Sequence, residues 1–198
     1  MKAFYIIGGL GIVFLFFQSY QLLSNSLKTE TQKYRLVRAE VQFEIRFYPS
    51  ATFAKINSPG TDYKSVASSG FRKLAGYIFG GNEQKQSIAM TAPVRMEMTD
   101  KGSTMSFVMP EKYTASDLPK PNDSGVQIVK SSPQYVAAIA FGGYADDKSI
   151  KENRDLLLKL LQEKGIVVAG EYSFLGYNAP YQFWSRKNEV VIPIVWKE

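Results

Sequence analysis

The order strand, strand, helix, strand, strand occurs twice along this chain, and that repetition constrains its fold more than any other feature. In the first copy, Val41-Gln42-Phe43-Glu44-Ile45-Arg46-Phe47 alternates apolar and polar residues at period two, as a half-buried strand does. Tyr48-Pro49-Ser50 reads as a turn, and residues 52 to 56 as a second strand. Ser58-Pro59-Gly60 breaks the run. Asp62 then stands where a helix cap belongs, ahead of a stripe of Tyr63, Val66, Ala67, Gly70, Leu74, Tyr77 and Ile78 that Gly80-Gly81-Asn82 closes. Across residues 88 to 99 the even positions are Ile88, Met90, Ala92, Val94, Met96 and Met98, all apolar, while the odd positions, Arg95 and Glu97 among them, are mostly polar. Pro93 cannot donate a ladder hydrogen bond and marks an edge or a bulge. Asp100-Lys101-Gly102 makes a hairpin turn, after which Met105, Phe107 and Met109 face inward. The inward alternation of the methionines is that of core packing.

After a connector carrying Pro110, Pro119 and Pro121 the order returns. Residues 126 to 130 and 135 to 141 read as strands. Asp146 or Asp147 caps a helix with Ile150, Leu157, Leu158 and Leu161 on one face, and Gly165 closes it. Residues 166 to 175 and 190 to 196 supply the last strands. Even the helix starts match, Asp62-Tyr63-Lys64-Ser65-Val66 against Asp147-Lys148-Ser149-Ile150. The expectation is one α+β domain in which pseudo-two-fold duplicated halves form a distorted antiparallel β-barrel flanked by two helices.

Neither copy includes the amino terminus. Residues 3 to 17, AFYIIGGLGIVFLFF, carry no charge, and the apolar character continues more weakly to Leu23. That is just long enough to cross a hydrocarbon core at the helical rise, and Lys2 in front also suits a signal peptide. The reading is a membrane anchor or signal segment over residues 1–27 ahead of a domain over 28–198. Lys28, Lys33, Arg35 and Arg38 after the span favour a cytoplasmic domain, while the short basic head favours export; an exported, periplasmic domain is the expectation.

Histidine and cysteine are both absent. That excludes a disulfide framework, thiolate nucleophiles, iron–sulfur ligation, a Cys/His zinc site and a Ser-His-Asp triad. With 13 Phe, 12 Tyr and 2 Trp, the composition points to binding rather than catalysis. The formal net charge of +6 is spread along the chain without a block of five like charges, so nucleic acid is not an expected partner.

Phe71-Arg72-Lys73-Leu74-Ala75-Gly76-Tyr77-Ile78-Phe79-Gly80-Gly81-Asn82 followed by Ile88-Ala89-Met90-Thr91-Ala92-Pro93-Val94 resembles the signature of the SOUL haem-binding proteins. Phe107-Val108-Met109-Pro110, Leu118-Pro119-Lys120-Pro121, Phe141-Gly142-Gly143, Tyr177-Asn178-Ala179-Pro180 and Asn188-Glu189-Val190 follow in the family's order. The resemblance implies a pseudo-two-fold barrel with two helices, binding haem or a related tetrapyrrole in an open cleft between the first helix and the loop before the last strand. Carried over by position, the cleft would involve Ser68, Phe71, Arg72, Ala75 and Gly76 of the helix, with Tyr177, Tyr181 and Phe183 of the loop. Some members are proposed to ligate iron through histidine, and this chain has none.

The residues allow the same reading. Lys64, Ser68, Phe71 and Ala75 form a line beside the core stripe at spacings of four, three and four. A planar apolar ligand with carboxylate arms suits such an apolar slot flanked by Lys64 and Arg72. Without an imidazole or thiolate for iron, Tyr177 and Tyr181 are the weak oxygen donors left. Glu171 interrupts an apolar stretch; facing solvent it is ordinary, and facing inward it would suit a cationic ligand. The expected function is a membrane-anchored, non-catalytic haem or tetrapyrrole carrier or buffer. The alternative is a sensor or interaction domain that binds another amphiphilic small molecule in the same cleft.

Overall fold

A computed structural model describes residues 29–179, 181–182 and 184–197. The chain divides into two compact units, Met1–Glu30 and Thr31–Glu198. The expected anchor falls in the first unit and lies outside the described residues; among those described, no helix is long and apolar enough to cross a membrane.

In chain order the elements are β1 (Glu30–Thr31), β2 (Arg35–Ala39), β3 (Glu44–Tyr48), β4 (Thr52–Ser58), α1 (Tyr63–Ile78), β5 (Thr91–Ala92), β6 (Val94–Thr99), β7 (Gly102–Val108), β8 (Val126–Lys130), β9 (Gln134–Phe141), α2 (Asp147–Glu163), β10 (Ser173–Gly176) and β11 (Asn188–Pro193). The fold is α+β, with an antiparallel sheet of order β2-β3-β9-β11-β10-β6-β7-β4-β8 curled into a half-barrel.

That order carries the duplication in three dimensions. With β2 set aside, reading it from either end gives the same sequence once the two halves are exchanged, so the β6–β10 pair sits on a pseudo-two-fold axis. Each half lends its first strand to the other half's edge: β3 pairs with β9, and β8 with β4. Neither half could close its sheet alone, which makes the two copies one folding unit.

Alternation then sorts each strand's residues onto two faces. One face carries Ile45, Ala54, Ile56, Met96, Met98, Met105, Phe107, Ile139, Phe174, Val190 and Ile192, packed against Val66, Leu74 and Ile78 of α1 and Ile150, Leu157 and Leu161 of α2. The expected stripes of both helices lie here, except that Leu158 turns out to be 38% exposed. The other face holds a second, smaller cluster of Tyr48, Val136, Ala138, Leu175 and Val191. Tyr48 on β3 and Phe53 on β4, near opposite edges of the sheet order, both approach the Arg95 guanidinium, at 5.9 and 5.8 Å from ring centroid to Cζ. The second face is therefore the inside of the half-barrel.

Two strand expectations need correction. The segment 88 to 99 is split by a cis Ala92–Pro93 peptide, and β6 begins immediately after the proline in the middle of the sheet, not at its edge. Residues 166 to 172 do not form a ladder; apart from the Val168–Ile194 bridge the strand is only Ser173–Gly176, and Val167 and Val168 stay exposed. The helix punctuation is local chemistry. Asp146 and Ser149 form a reciprocal capping box at the start of α2. At the end of α1 the buried Asn82 amide donates to the Tyr77 and Gln86 carbonyls, at 3.0 and 2.8 Å. Gly81 lies there so close to the helix that a Cβ would meet the Gly76 oxygen at 2.5 Å.

The elements described begin at Glu30, so removing residues 1–27 is expected to leave a soluble domain that melts in one cooperative transition. Calorimetry of the 28–198 fragment checks this, and a broad or absent transition would refute the boundary.

Candidate functional site

The helix line predicted for the cleft is mounted on α1, and packing divides it. Lys64, Ser68, Arg72 and Gly76 are exposed, with nothing within 4 Å of the position a Gly76 side chain would take. Phe71 is half-buried and presents its ring edge-on to Phe107 at 5.3 Å, while Ala75 is buried. One turn further on, Phe79 is 66% exposed, an aromatic face that helical spacing alone did not single out. The outer surface of α1 thus offers a shallow apolar floor flanked by Lys64 and Arg72.

The loop of residues 177 to 187 leaves the sheet at the end of β10 and re-enters at β11. Its neck is closed by the Lys187 N–H donating to Asn178 Oδ1 at 2.6 Å. Inside it, Arg186 Nη1 donates to the Ala179 and Gln182 carbonyls, at 2.9 and 2.7 Å, and the guanidinium lies 4.4 Å from the centroid of Tyr144. The Arg186 charge also reaches the Tyr63 hydroxyl, whose pKa burial raises and that charge opposes. The Tyr63 ring meets Phe174 at 5.2 Å between centroids, so the first turn of α1 packs on β10, the strand that leads into the loop. At its rim Tyr181 and Trp184 are 63% and 76% exposed. Phe183 lies outside the described residues. Asn188 donates to the Gly143 carbonyl at 2.9 Å, so two of the motifs behind the resemblance are bonded to each other.

Tyr177 is not part of that surface. Its hydroxyl donates to Glu189 Oε2 at 2.6 Å, and its ring packs against the cluster inside the half-barrel. Burial, followed by the charge of Glu189, pushes its pKa far above the ordinary value, so the phenol stays protonated. It is thus a poor iron ligand, contrary to its reading from sequence, and of the two candidate oxygen donors Tyr181 is the exposed one. Glu171 is exposed on the rim of an open cavity of about 580 Å³ with Arg154 and Tyr172. It does not point into the barrel.

Glu189 is the acid that does. It has no exposed surface, and Arg46 holds it bidentately, Nη1 to Oε2 at 2.8 Å and Nη2 to Oε1 at 2.9 Å. Lys187 lies 3.0 Å from Oε1, and the remaining edge of Arg46 donates from Nε to Glu44 at 2.7 Å. Burial alone would raise the Glu189 pKa, but the bonds from Arg46 and Tyr177 outweigh it and hold the group below the ordinary carboxylate value. Among the described residues no group of three or more acidic side chains is arranged to hold a metal ion.

The family model described as SOUL heme-binding protein matches residues 29–193. The chain belongs to the SOUL haem-binding protein family. Heme-binding protein 2 of Homo sapiens is 32% identical over 157 residues, covering 75% of this chain and 76% of that protein. The Mus musculus protein of the same name is 31% identical over 156 residues, with the same coverage. Heme-binding protein 1 of Sus scrofa is 23% identical over 182 residues, which cover 85% of this chain and 96% of its own length. Among solved structures, the C-terminal domain of EcmrR superposes with a TM-score of 0.59 at 9% identity, over 78% of this chain and 97% of that one. A conserved protein from Listeria innocua reaches 0.60 at 12% identity, over 78% and 92%. At such identities these two show that the SOUL half-barrel is shared, and no more.

Proposed function

We propose that this SOUL protein binds haem or a related tetrapyrrole on the outer surface of α1, between Lys64, Ser68, Phe71, Arg72 and Gly76 and the aromatic rim of the 177 to 187 loop, and that it carries or buffers the ligand without catalysis. The observation that carries this reading is the pair of solvent-facing aromatics Tyr181 and Trp184, on the loop that follows β10, the strand on which the first turn of α1 packs through Tyr63 and Phe174. Exposed aromatics with cations at the margin suit a planar apolar ring system bearing two acid arms. The fit is to the porphyrin faces and propionates. Iron gains no imidazole or thiolate, because the chain contains no His or Cys. Lys64 and Arg72 would pair with the propionates, Phe71 would cover a face, and Ala75 would serve only as the floor beneath it. The apolar segment of residues 3 to 23 would hold such a carrier at a membrane, with the domain on the exported side.

Titrating the 28–198 fragment with haemin tests the site. Saturable one-to-one absorbance changes at micromolar haemin are expected. Arg72→Glu should weaken binding by about tenfold, or 1.4 kcal/mol, through loss of one charge-assisted contact. Phe71→Ala should weaken it by a similar factor through lost apolar contact. Saturable binding that neither substitution alters would place the ligand elsewhere.

A further inference from the structure

The inside of the half-barrel holds two guanidinium groups, and their situations differ. Arg46 is engaged on every nitrogen, by Glu189 and Glu44, and lies 4.2 Å from the centroid of Tyr34. Arg95, on the central strand β6, is only 8% exposed, and both its Nε and its Nη2 are buried without a hydrogen-bond partner. The register explains why Arg95 does not share the acid that serves Arg46. Arg95 stands opposite Leu175 on β10, and Leu175 stands opposite Glu189 on β11. The fully buried Leu175 side chain therefore lies between the cation and Glu189, the only buried carboxylate among the described residues. On its other side Arg95 faces Ser106 of β7. The rings of Tyr48 and Phe53 flank the guanidinium, and the Tyr48 hydroxyl is likewise buried without a hydrogen bond.

An ionised guanidinium taken out of water and left unpaired is strongly destabilising, so buried charges in folded proteins are paired. Nε–H and the neighbouring Nη2–H form the side-on edge of the guanidinium, two parallel donors spaced to match the two oxygens of a carboxylate. We propose that Arg95 is the anchor of a second binding site, inside the half-barrel and on the opposite face of the sheet from α1, which takes a carboxylate on the Nε/Nη2 edge. The Tyr48 hydroxyl supplies a third donor, and the Tyr48 and Phe53 rings form the wall for an apolar tail. The ligand class is a small or slender organic monocarboxylate. Cationic ligands are disfavoured, because the interior acid is already saturated by Arg46, Tyr177 and Lys187.

The test uses the purified full chain, with acetate and octanoate as probes and acetamide at equal concentration, with sodium chloride at equal ionic strength, as controls. Thermal melting and the NMR signals of the arginine Nε–H groups are followed. The carboxylates should raise the melting temperature by several degrees at saturation and shift one arginine Nε–H resonance, while acetamide and chloride do neither. Arg95→Met should abolish both effects, and in carboxylate-free buffer it should melt no lower than the parent chain, since it removes an unpaired buried charge. Arg95→Lys should bind at least about tenfold more weakly, because the paired edge is lost. Failure of both carboxylates to shift any arginine resonance would overturn the proposal. So would a larger response to chloride than to acetate, or a marked loss of stability in carboxylate-free Arg95→Met, which would make Arg95 a structural residue. None of these readouts involves haemin, so the outcome is independent of the site on α1.

Discussion

Glu189→Ala is expected to cost about 3–5 kcal/mol, the range for breaking a buried ion pair from one side. The substitution leaves Arg46 in the barrel interior with only the half-buried Glu44, and strips the Tyr177 hydroxyl and Lys187 of their shared acceptor. Against a total stability of about 5–15 kcal/mol for a domain, most of the margin disappears. Urea unfolding followed by circular dichroism measures it. Replacing both partners with apolar residues, Arg46→Met with Glu189→Leu, should recover most of the loss, because neither charge then remains buried alone. The same carboxylate sets an acid limit. Its folded pKa lies below the ordinary value of 4.5, so its contribution is fully present above pH 4.5 and is lost as the pH falls through the folded pKa. The parent chain should therefore lose stability below pH 4.5 more steeply than the double substitution. Parallel acid profiles would contradict this role.

Met96→Lys is expected to be the most damaging single change in the helix-facing core. Met96 is 1% exposed and belongs to the helix-facing core cluster, an apolar surrounding in which an ammonium would find no partner. Such an insertion costs several kcal/mol even when the lysine deprotonates to avoid it. Glu97→Gln, one residue on and exposed, should stay within about 1 kcal/mol. Comparing the two by thermal melting checks the register of β6, and equal tolerance would contradict it.

The pair Met96 and Arg95 also shows where sequence reading stops. Period-two alternation placed the methionines of β6 and β7 in the core, where they lie, since an apolar face always has to be covered. It also marked the opposite face as polar, but polarity does not distinguish solvent from the inside of a curled sheet. Arg46, Arg95 and Glu189 are polar residues on that second face, and all three are buried, with the Tyr48 and Phe53 rings flanking Arg95 and the Tyr34 ring against Arg46. Curling is a tertiary property, set by the exchange of first strands between the halves and invisible in a window of eight residues. The helix line of the candidate site was legible, because a 3.6-residue period assigns Lys64, Ser68, Arg72 and Gly76 to one outward side. Tyr177 was misplaced for the reason Arg95 was overlooked: it is the next residue after β10, on the inward side of a strand whose inside the sequence did not announce.

The central claim is that this SOUL domain holds a tetrapyrrole by its faces and acid arms and not by its metal. The direct measurement is the affinity of the 28–198 fragment for haem against iron-free protoporphyrin, by fluorescence quenching at fixed salt. With no imidazole or thiolate in the chain and Tyr177 locked onto Glu189, the two should bind within about tenfold, or 1.4 kcal/mol, of each other. A preference for the iron form of about a hundredfold or more, near 2.8 kcal/mol, would contradict the claim and require a protein ligand, with Tyr181 the first residue to replace.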